Sequence, residues 1–161
     1  MLLIQKRCAP RERYDEELLL PFELRSKSRL RTRLESGEEA GLFLERGGLL
    51  RGGDFLEADD GRVVRVAAAP EKLMHVASDD ALLLTRAAYH LGNRHVPVEI
   101  GRGYLRFSSD PVLMRMIEGL GLAVSELEAA FEPEPGAYGG GHHHHADEPH
   151  GHGVIHQYKR P

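Results

Sequence analysis

Residues 136–161 constrain the fold of this 161-residue chain most, because they are rich in histidine and glycine and poor in apolar side chains. Seven of the ten histidines lie in this segment, which we call the histidine tail. A purification tag usually ends a chain, whereas sixteen residues with three further histidines follow His145. No helix or strand pattern is present in the tail, so we expect it to be disordered. The remaining residues, about 135, suffice for one ordinary domain or two small ones.

Charge and cysteine content exclude several classes of protein. The net charge of -4 argues against general nucleic-acid binding. The apolar residues 1–4 are too few for a signal sequence, and no apolar run reaches the length of a membrane span. Cys8 is the only cysteine, which excludes an intrachain disulfide and thiolate-rich metal sites within one chain. We therefore expect a cytoplasmic protein that binds any metal through nitrogen and oxygen.

Short apolar segments separated by glycine turns fill the first seventy residues. Asp60-Gly61 is typical of a β-hairpin turn. In residues 25–34, arginine and lysine alternate with serine, threonine and leucine, which predicts a strand with one basic face. That face is either solvated or docks to an acidic surface of a partner protein. The predicted strands are residues 2–7, 17–22, 25–34, 41–44, 49–50, 55–56 and 62–66, and together they indicate a small all-β barrel or sandwich.

The pattern changes after residues 67–71, where we expect a domain joint. Asp79-Asp80 offers an N-cap for a helix over residues 81–91, with Leu82 among the side chains available for burial. Gly92 is placed to end that helix in the left-handed conformation, and Asp110 with Pro111 to begin a second one. With strands at 73–77, 96–100, 104–107 and 122–131, the order is βαββαβ, as in ferredoxin-like domains.

The sequence thus predicts an α+β protein in three parts. Residues 1–70 are expected to form the all-β domain, residues 71–135 the ferredoxin-like domain, and residues 136–161 the disordered histidine tail.

The histidine tail is predicted to bind divalent transition metals, since neutral imidazole is their common protein ligand. His150 and His152 can hold one ion across Gly151, whose missing side chain permits a tight loop. The four consecutive histidines from His142 offer many competing ligand pairs. We therefore expect them to increase the number of ions bound and not to define one coordination geometry. The predicted tail ligands are His142, His143, His144, His145, His150, His152 and His156.

Residues 88–98, Ala-Tyr-His-Leu-Gly-Asn-Arg-His-Val-Pro-Val, resemble the signature of the UreE-type urease accessory proteins, which are nickel metallochaperones. The resemblance extends over most of the chain, including the tail that follows Gly136. Further matching segments are residues 27–31, 41–44, 50–54, 60–66 and 131–134.

The resemblance implies a homodimer that carries Ni²⁺ to the urease active site, with the urease GTPase UreG and the urease apoprotein and its accessory complex as partners. It also implies an N-terminal domain similar to the peptide-binding domain of Hsp40 chaperones. Imidazole suits nickel, zinc and copper alike, so nickel comes from the resemblance alone, and Zn²⁺ or Cu²⁺ is expected to compete.

His95 matches the metal-binding histidine of that family. The resemblance implies that the dimer brings one His95 from each subunit to the two-fold axis, where His156 of the tail is expected to join them. From the residues alone, His95 follows a helix stop on a connection near the surface, and a single histidine there favours a hydrogen-bonded structural role over a metal ligand. His90 and His75 are expected to be structural. Residues 107–110 lack the histidines that the family often has there, so no auxiliary site is expected.

Two other functions compete with a metal carrier. A metal-dependent hydrolase would need a general base and an oxyanion stabiliser near the metal, and no such set surrounds His95, so we expect no enzyme. A storage or buffer protein without a delivery target would bind metal through the tail alone. No phosphate loop is present, so nucleotide hydrolysis must belong to a partner.

Overall fold

The structure is a computed structural model that describes residues 1–135 as two β-sheets, each with its own apolar core. Residues 136–161 lie outside the described residues, and with them the seven predicted tail ligands and the predicted disorder. Within residues 1–135, no helix combines the length and the apolar character needed to cross a membrane.

Six strands and one helical turn form the first sheet. Their bounds are β1 (Leu2–Cys8), β2 (Glu16–Leu20), α1 (Phe22–Arg25), β3 (Arg29–Arg33), β4 (Glu39–Phe43), β5 (Phe55–Ala58) and β6 (Val63–Ala68). The strand order is β2-β6-β5-β1-β4-β3, with β1/β4 and β2/β6 parallel and the other neighbours antiparallel. The Glu35 N–H, just after β3, donates to the Glu17 carbonyl in β2 at 2.9 Å. The two edge strands therefore meet, and the sheet is nearly closed.

The strands enclose a core of alternating apolar side chains, as strand geometry requires. The predicted hairpin is confirmed, since β5 and β6 pair antiparallel across Gly61, whose φ is 88°. No strand forms at the predicted segment 49–50, although Leu50 is fully buried. The core residues are Leu2, Ile4, Leu18, Leu20, Leu34, Ala40, Leu42, Leu44, Leu50, Leu56, Ala58, Val64 and Val66.

The basic strand predicted over residues 25–34 is shorter than expected. β3 covers only Arg29–Arg33, with its arginines exposed at the sheet edge. Arg25 instead ends α1 and is 0% exposed. The prediction was wrong at this position because the carboxylate that pairs with Arg25, that of Glu132, lies 107 residues further along the chain. Phe22, predicted to end a strand, begins the helical turn.

Four strands and two helices follow in the predicted βαββαβ order. They are β7 (Pro70–Ala77), α2 (Ala81–Gly92), β8 (Glu99–Gly101), β9 (Tyr104–Ser108), α3 (Pro111–Gly119) and β10 (Ser125–Ala130). The sheet is antiparallel throughout, with the order β10-β7-β9-β8. The predicted N-cap is confirmed at Asp80, and Asp110, at the predicted start of the second helix, caps α3 in the same way: each carboxylate accepts hydrogen bonds from two backbone N–H groups of the first turn. The helices and the sheet share a core that includes Met74, Val76, Ala87, Leu91, Leu105, Phe107 and Ile117.

The two sheets are joined closely. Ala69 alone separates β6 from β7. Leu73 and Phe131 are fully buried but belong to neither of the two cores. The Phe131 ring packs edge-to-face on Phe22 of α1, with 5.4 Å between ring centroids. Apolar side chains from both halves of the chain therefore fill the junction.

Candidate metal centre

Helix α2 leads directly to His95. After the helix ends at Gly92, the Arg94 N–H donates to the Leu91 carbonyl and the His95 N–H to the Gly92 carbonyl, at 3.0 and 2.9 Å. Gly92 was expected to take the left-handed conformation, and that expectation was wrong. The helical hydrogen bonding continues past Gly92, so the reversal falls on His95, whose φ is 56°.

His95 is the only residue other than glycine with a positive φ in the described part of the chain. Such a backbone costs roughly 1 kcal/mol or more for a residue with a side chain, although histidine tolerates it better than most. The side chain is exposed, while Val96 packs against the core and Val98 is buried. The loop is thus anchored on one side and presents the imidazole to solvent.

One copy of the described chain does not complete a metal site. Residues 1–135 contain no group of three or more histidine, cysteine or carboxylate side chains placed to hold one ion. An ion bound at His95 would therefore take its other ligands from outside residues 1–135 of the same copy.

The other two histidines of the described region lie in structural settings. His90, in the last turn of α2, is half-buried with its ring 5.5 Å from that of Tyr89. His75, on β7, has its ring 5.3 Å from that of Tyr104, and its Nδ1 accepts from Arg106 Nε at 3.4 Å. Because His75 alternates with Met74 and Val76, which face the helices, it lies on the opposite face of the sheet.

Residues 107–110 are occupied by packing and capping. Phe107 is fully buried, and the Asp110 carboxylate accepts from the Val112 and Leu113 N–H groups at 2.7 and 3.2 Å. The only carboxylate of this segment is therefore used to cap α3.

An exposed apolar stripe runs along α2 towards His95. Leu82 is 68% exposed and Tyr89 is 65% exposed. Their spacing of seven residues, about two turns, places both on one face of the helix. Leu82 was expected to be buried, but Leu83, Leu84, Ala87 and Leu91 fill the core side instead. In the sequence, the stripe is visible only as a second set of apolar residues at helical spacing, Leu82 and Tyr89, beside the set that faces the core.

The comparisons with known proteins cover nearly the whole chain. The model of the UreE urease accessory protein C-terminal domain matches residues 71–159, and that of the UreE N-terminal domain matches residues 4–69. The urease accessory protein UreE of Pseudomonas fluorescens (strain SBW25) is 58% identical over 92% of this chain and 91% of its own length. That of Azotobacter vinelandii is 59% identical over 89% of this chain and 87% of its own length.

Both halves of the chain match the same family in sequence order, and the relatives align over almost their full length. The protein is accordingly an accessory protein and not an enzyme, and the chain belongs to the UreE family of urease accessory proteins.

Proposed function

We propose that this protein is a nickel metallochaperone that binds Ni²⁺ between the His95 side chains of two subunits and delivers it for assembly of the urease active site. The observation that carries the proposal is the exposed His95 imidazole, held at a positive φ on a loop anchored by buried Val98. Such a backbone persists only where the surrounding structure enforces it, and it is commonest at functional sites.

The homodimer supplies the second ligand. In a two-fold symmetric interface the same patch of both subunits meets, so one histidine per chain gives two nitrogen ligands. The exposed stripe of Leu82 and Tyr89 supports an interface here, because these apolar side chains lie on the helix that ends at the His95 loop.

A site with two imidazoles at a surface is suited to transfer. A closed tetrahedral cage of protein ligands favours retention, as in structural zinc sites. Here the remaining ligands come from the histidine tail, and each can leave separately as the ligands of a recipient replace it. The tail ligands in this proposal are His142, His143, His144, His145, His150, His152 and His156.

The division of labour along the chain is part of the same proposal. Residues 71–135 bind metal and dimerise, residues 136–161 load and unload the ion, and residues 1–70 bind a protein partner. The partners are UreG and the urease apoprotein with its accessory complex, in the cytoplasm. Nickel as the cargo is supported by family membership, while the imidazole ligands alone also suit Zn²⁺ and Cu²⁺.

A nickel titration of three proteins tests the proposal: the full chain, a chain ending at Gly136, and the full chain with His95→Ala. The short chain should lose capacity but keep about one tight ion per dimer, because two His95 side chains share that ion. His95→Ala should remove the tight ion and block delivery to apo-urease even though the tail is intact.

The second candidate, a storage protein, is favoured by the seven histidines of the tail. It predicts that the chain ending at Gly136 binds no nickel and that His95→Ala changes nothing. Either result would exclude the carrier mechanism.

A further inference from the structure

The last described residues form a short extended segment between the two sheets. We call residues 131–134 the strap. Its carbonyl groups face the first sheet, where Arg25 donates to the Phe131 carbonyl and Arg51 Nη1 to the Pro133 carbonyl, the latter at 2.6 Å. Its N–H groups face the second sheet, where Glu132 N–H donates to Glu99 Oε2 and Glu134 N–H to the Val98 carbonyl, both at 2.8 Å. Four hydrogen bonds thus hold the strap from two sides.

The Glu132 side chain fixes the strap to the first sheet. Its Oε1 accepts from Arg25 Nη1 and from the Gly52 N–H, each at 2.8 Å, and its Oε2 accepts from Arg51 Nη1 at 3.0 Å. Arg25 is fully buried, so removing this carboxylate would leave a buried charge without its partner, which is strongly destabilising. A Cβ at Gly52 would come within 3.0 Å of Glu132 Oε1, so the close approach depends on glycine there.

The Glu99 side chain fixes the strap to the second sheet. Its Oε2 accepts from the strap, while its Oε1 accepts from Arg106 Nη1 at 3.1 Å and from the Tyr104 hydroxyl at 3.3 Å. Arg106 in turn lies over the Tyr104 ring, with 4.6 Å from Cζ to the ring centroid. Glu99 is therefore also held by two side chains of β9, independently of the strap.

The strap ends beside the loop that carries His95. Val98, which accepts the Glu134 N–H, follows His95 by three residues, so their Cα atoms are at most about 11 Å apart. The tail begins two residues after Glu134, and its first histidine, His142, is seven residues beyond Pro135, a maximum reach of about 25 Å. Every tail histidine is thus attached at a point from which the His95 site is within reach.

From this geometry we infer that Glu132 and Glu99 are positioning residues for the metal site: they clamp the strap so that the tail starts next to His95. The inference rests on the proposed function, in which tail histidines complete the His95 site. A tethered ligand acts through its effective concentration, which depends on where the tether is fixed. Releasing the strap moves that point without removing any metal ligand.

The test compares Glu132→Ala and Glu99→Ala in two backgrounds, the full chain and the chain ending at Gly136. Glu134→Ala is the matched control, because this exposed side chain lies on the same strap, whose bond at this position is made by the backbone N–H. Nickel ions alone are titrated into each dimer, and X-ray absorption counts the imidazole nitrogens around the tight ion.

In the full chain, Glu132→Ala and Glu99→Ala should each weaken the tight nickel site roughly twofold and lower its imidazole count, because freeing residues 131–134 lengthens the tether and the effective concentration of the tail ligands falls as about the −3/2 power of its length. In the short chain both should bind nickel as the unsubstituted short chain does. Glu134→Ala should match the unsubstituted protein in both backgrounds.

Equal weakening in both backgrounds would show that the glutamates only stabilise the fold, and unchanged affinity in the full chain would show that the clamp does not position the tail. Either overturns the inference. If Glu132→Ala fails to fold because the buried Arg25 loses its partner, Glu99→Ala decides the question, since it leaves that ion pair in place. A tight site that survives His95→Ala contradicts the proposed function instead, so the two failures are distinguishable.

Discussion

His95 exposes a polar ring from a backbone conformation that few residues with side chains adopt. The neighbouring valines are packed, so the loop cannot relax by lifting away from the core. The positive φ therefore lowers the stability of the folded protein, while the proposed function requires a histidine at this position.

Replacing His95 by glycine should raise the free energy of unfolding by up to about 1 kcal/mol, because glycine adopts a positive φ without steric cost. The same variant should lose the tight nickel ion. Chemical denaturation of the metal-free protein measures the first effect, and His90→Gly is the control. His90 lies within α2, where glycine should lower stability by about 1 kcal/mol. A lower stability of His95→Gly would show that the loop is not strained.

Glu132 also makes the protein sensitive to acid. Burial alone would raise the pKa of this carboxyl, but hydrogen bonds from Gly52 and Arg51 and the charge of Arg25 together hold the pKa below its ordinary value of 4.5. A carboxyl whose pKa is lower in the folded state stabilises the protein above the unfolded-state pKa. That stabilisation is lost as the pH falls below 4.5 and through the folded-state pKa.

The free energy of unfolding is measured from about pH 6 to about pH 2, a range that extends to both sides of the ordinary carboxyl pKa. It should fall less steeply with decreasing pH for Glu132→Gln than for the unsubstituted protein. The difference between the two proteins isolates Glu132, because Glu38 and Asp60 beside Arg62 and Glu39 beside Arg31 also have lowered pKa values. Parallel curves would mean that the carboxylate contributes nothing to folding.

Helix α2 has two apolar faces, and only one of them packs against other residues of the described range 1–135. Its N-cap at Asp80 and its length followed directly from local sequence signals. The exposure of Leu82 and Tyr89 did not, because apolar periodicity predicts burial without saying whether the same chain or a second copy supplies the partner surface.

Tyr89→Glu should convert the proposed dimer to monomers and weaken the proposed nickel site with it, since a charge cannot be buried without a partner. Analytical ultracentrifugation of the metal-free protein gives the oligomeric state. Phe43→Glu is the control, because Phe43 is also exposed, at 50%, but lies on the first sheet. A Tyr89→Glu protein that remains dimeric would place the subunit interface elsewhere.

At the scale of the whole molecule, the sequence predicted the order of elements well and their long-range partners poorly. The hairpin at Gly61, both aspartate N-caps and the βαββαβ order depend on neighbouring residues, and they were recognisable. The burial of Arg25 depends on Glu132, which only the tertiary fold brings close.

In the candidate site, too, the features set by neighbouring residues were predictable and those set by distant residues were not. His95 was identified through the family resemblance, and its place after α2 through the helix pattern. Its positive φ was not, since Gly92 is the better local candidate for that conformation. Neither Glu99 nor Glu132 could be singled out, because each is one of many glutamates until the strap is seen between the sheets.

Ala69 alone connects β6 to β7, and the strap adds a second attachment between the same two sheets. Two attachments at separate points oppose rotation about either one. A partner protein that binds the first sheet would therefore also fix the orientation of the His95 surface. The geometry of docking would then determine the direction in which a bound ion faces.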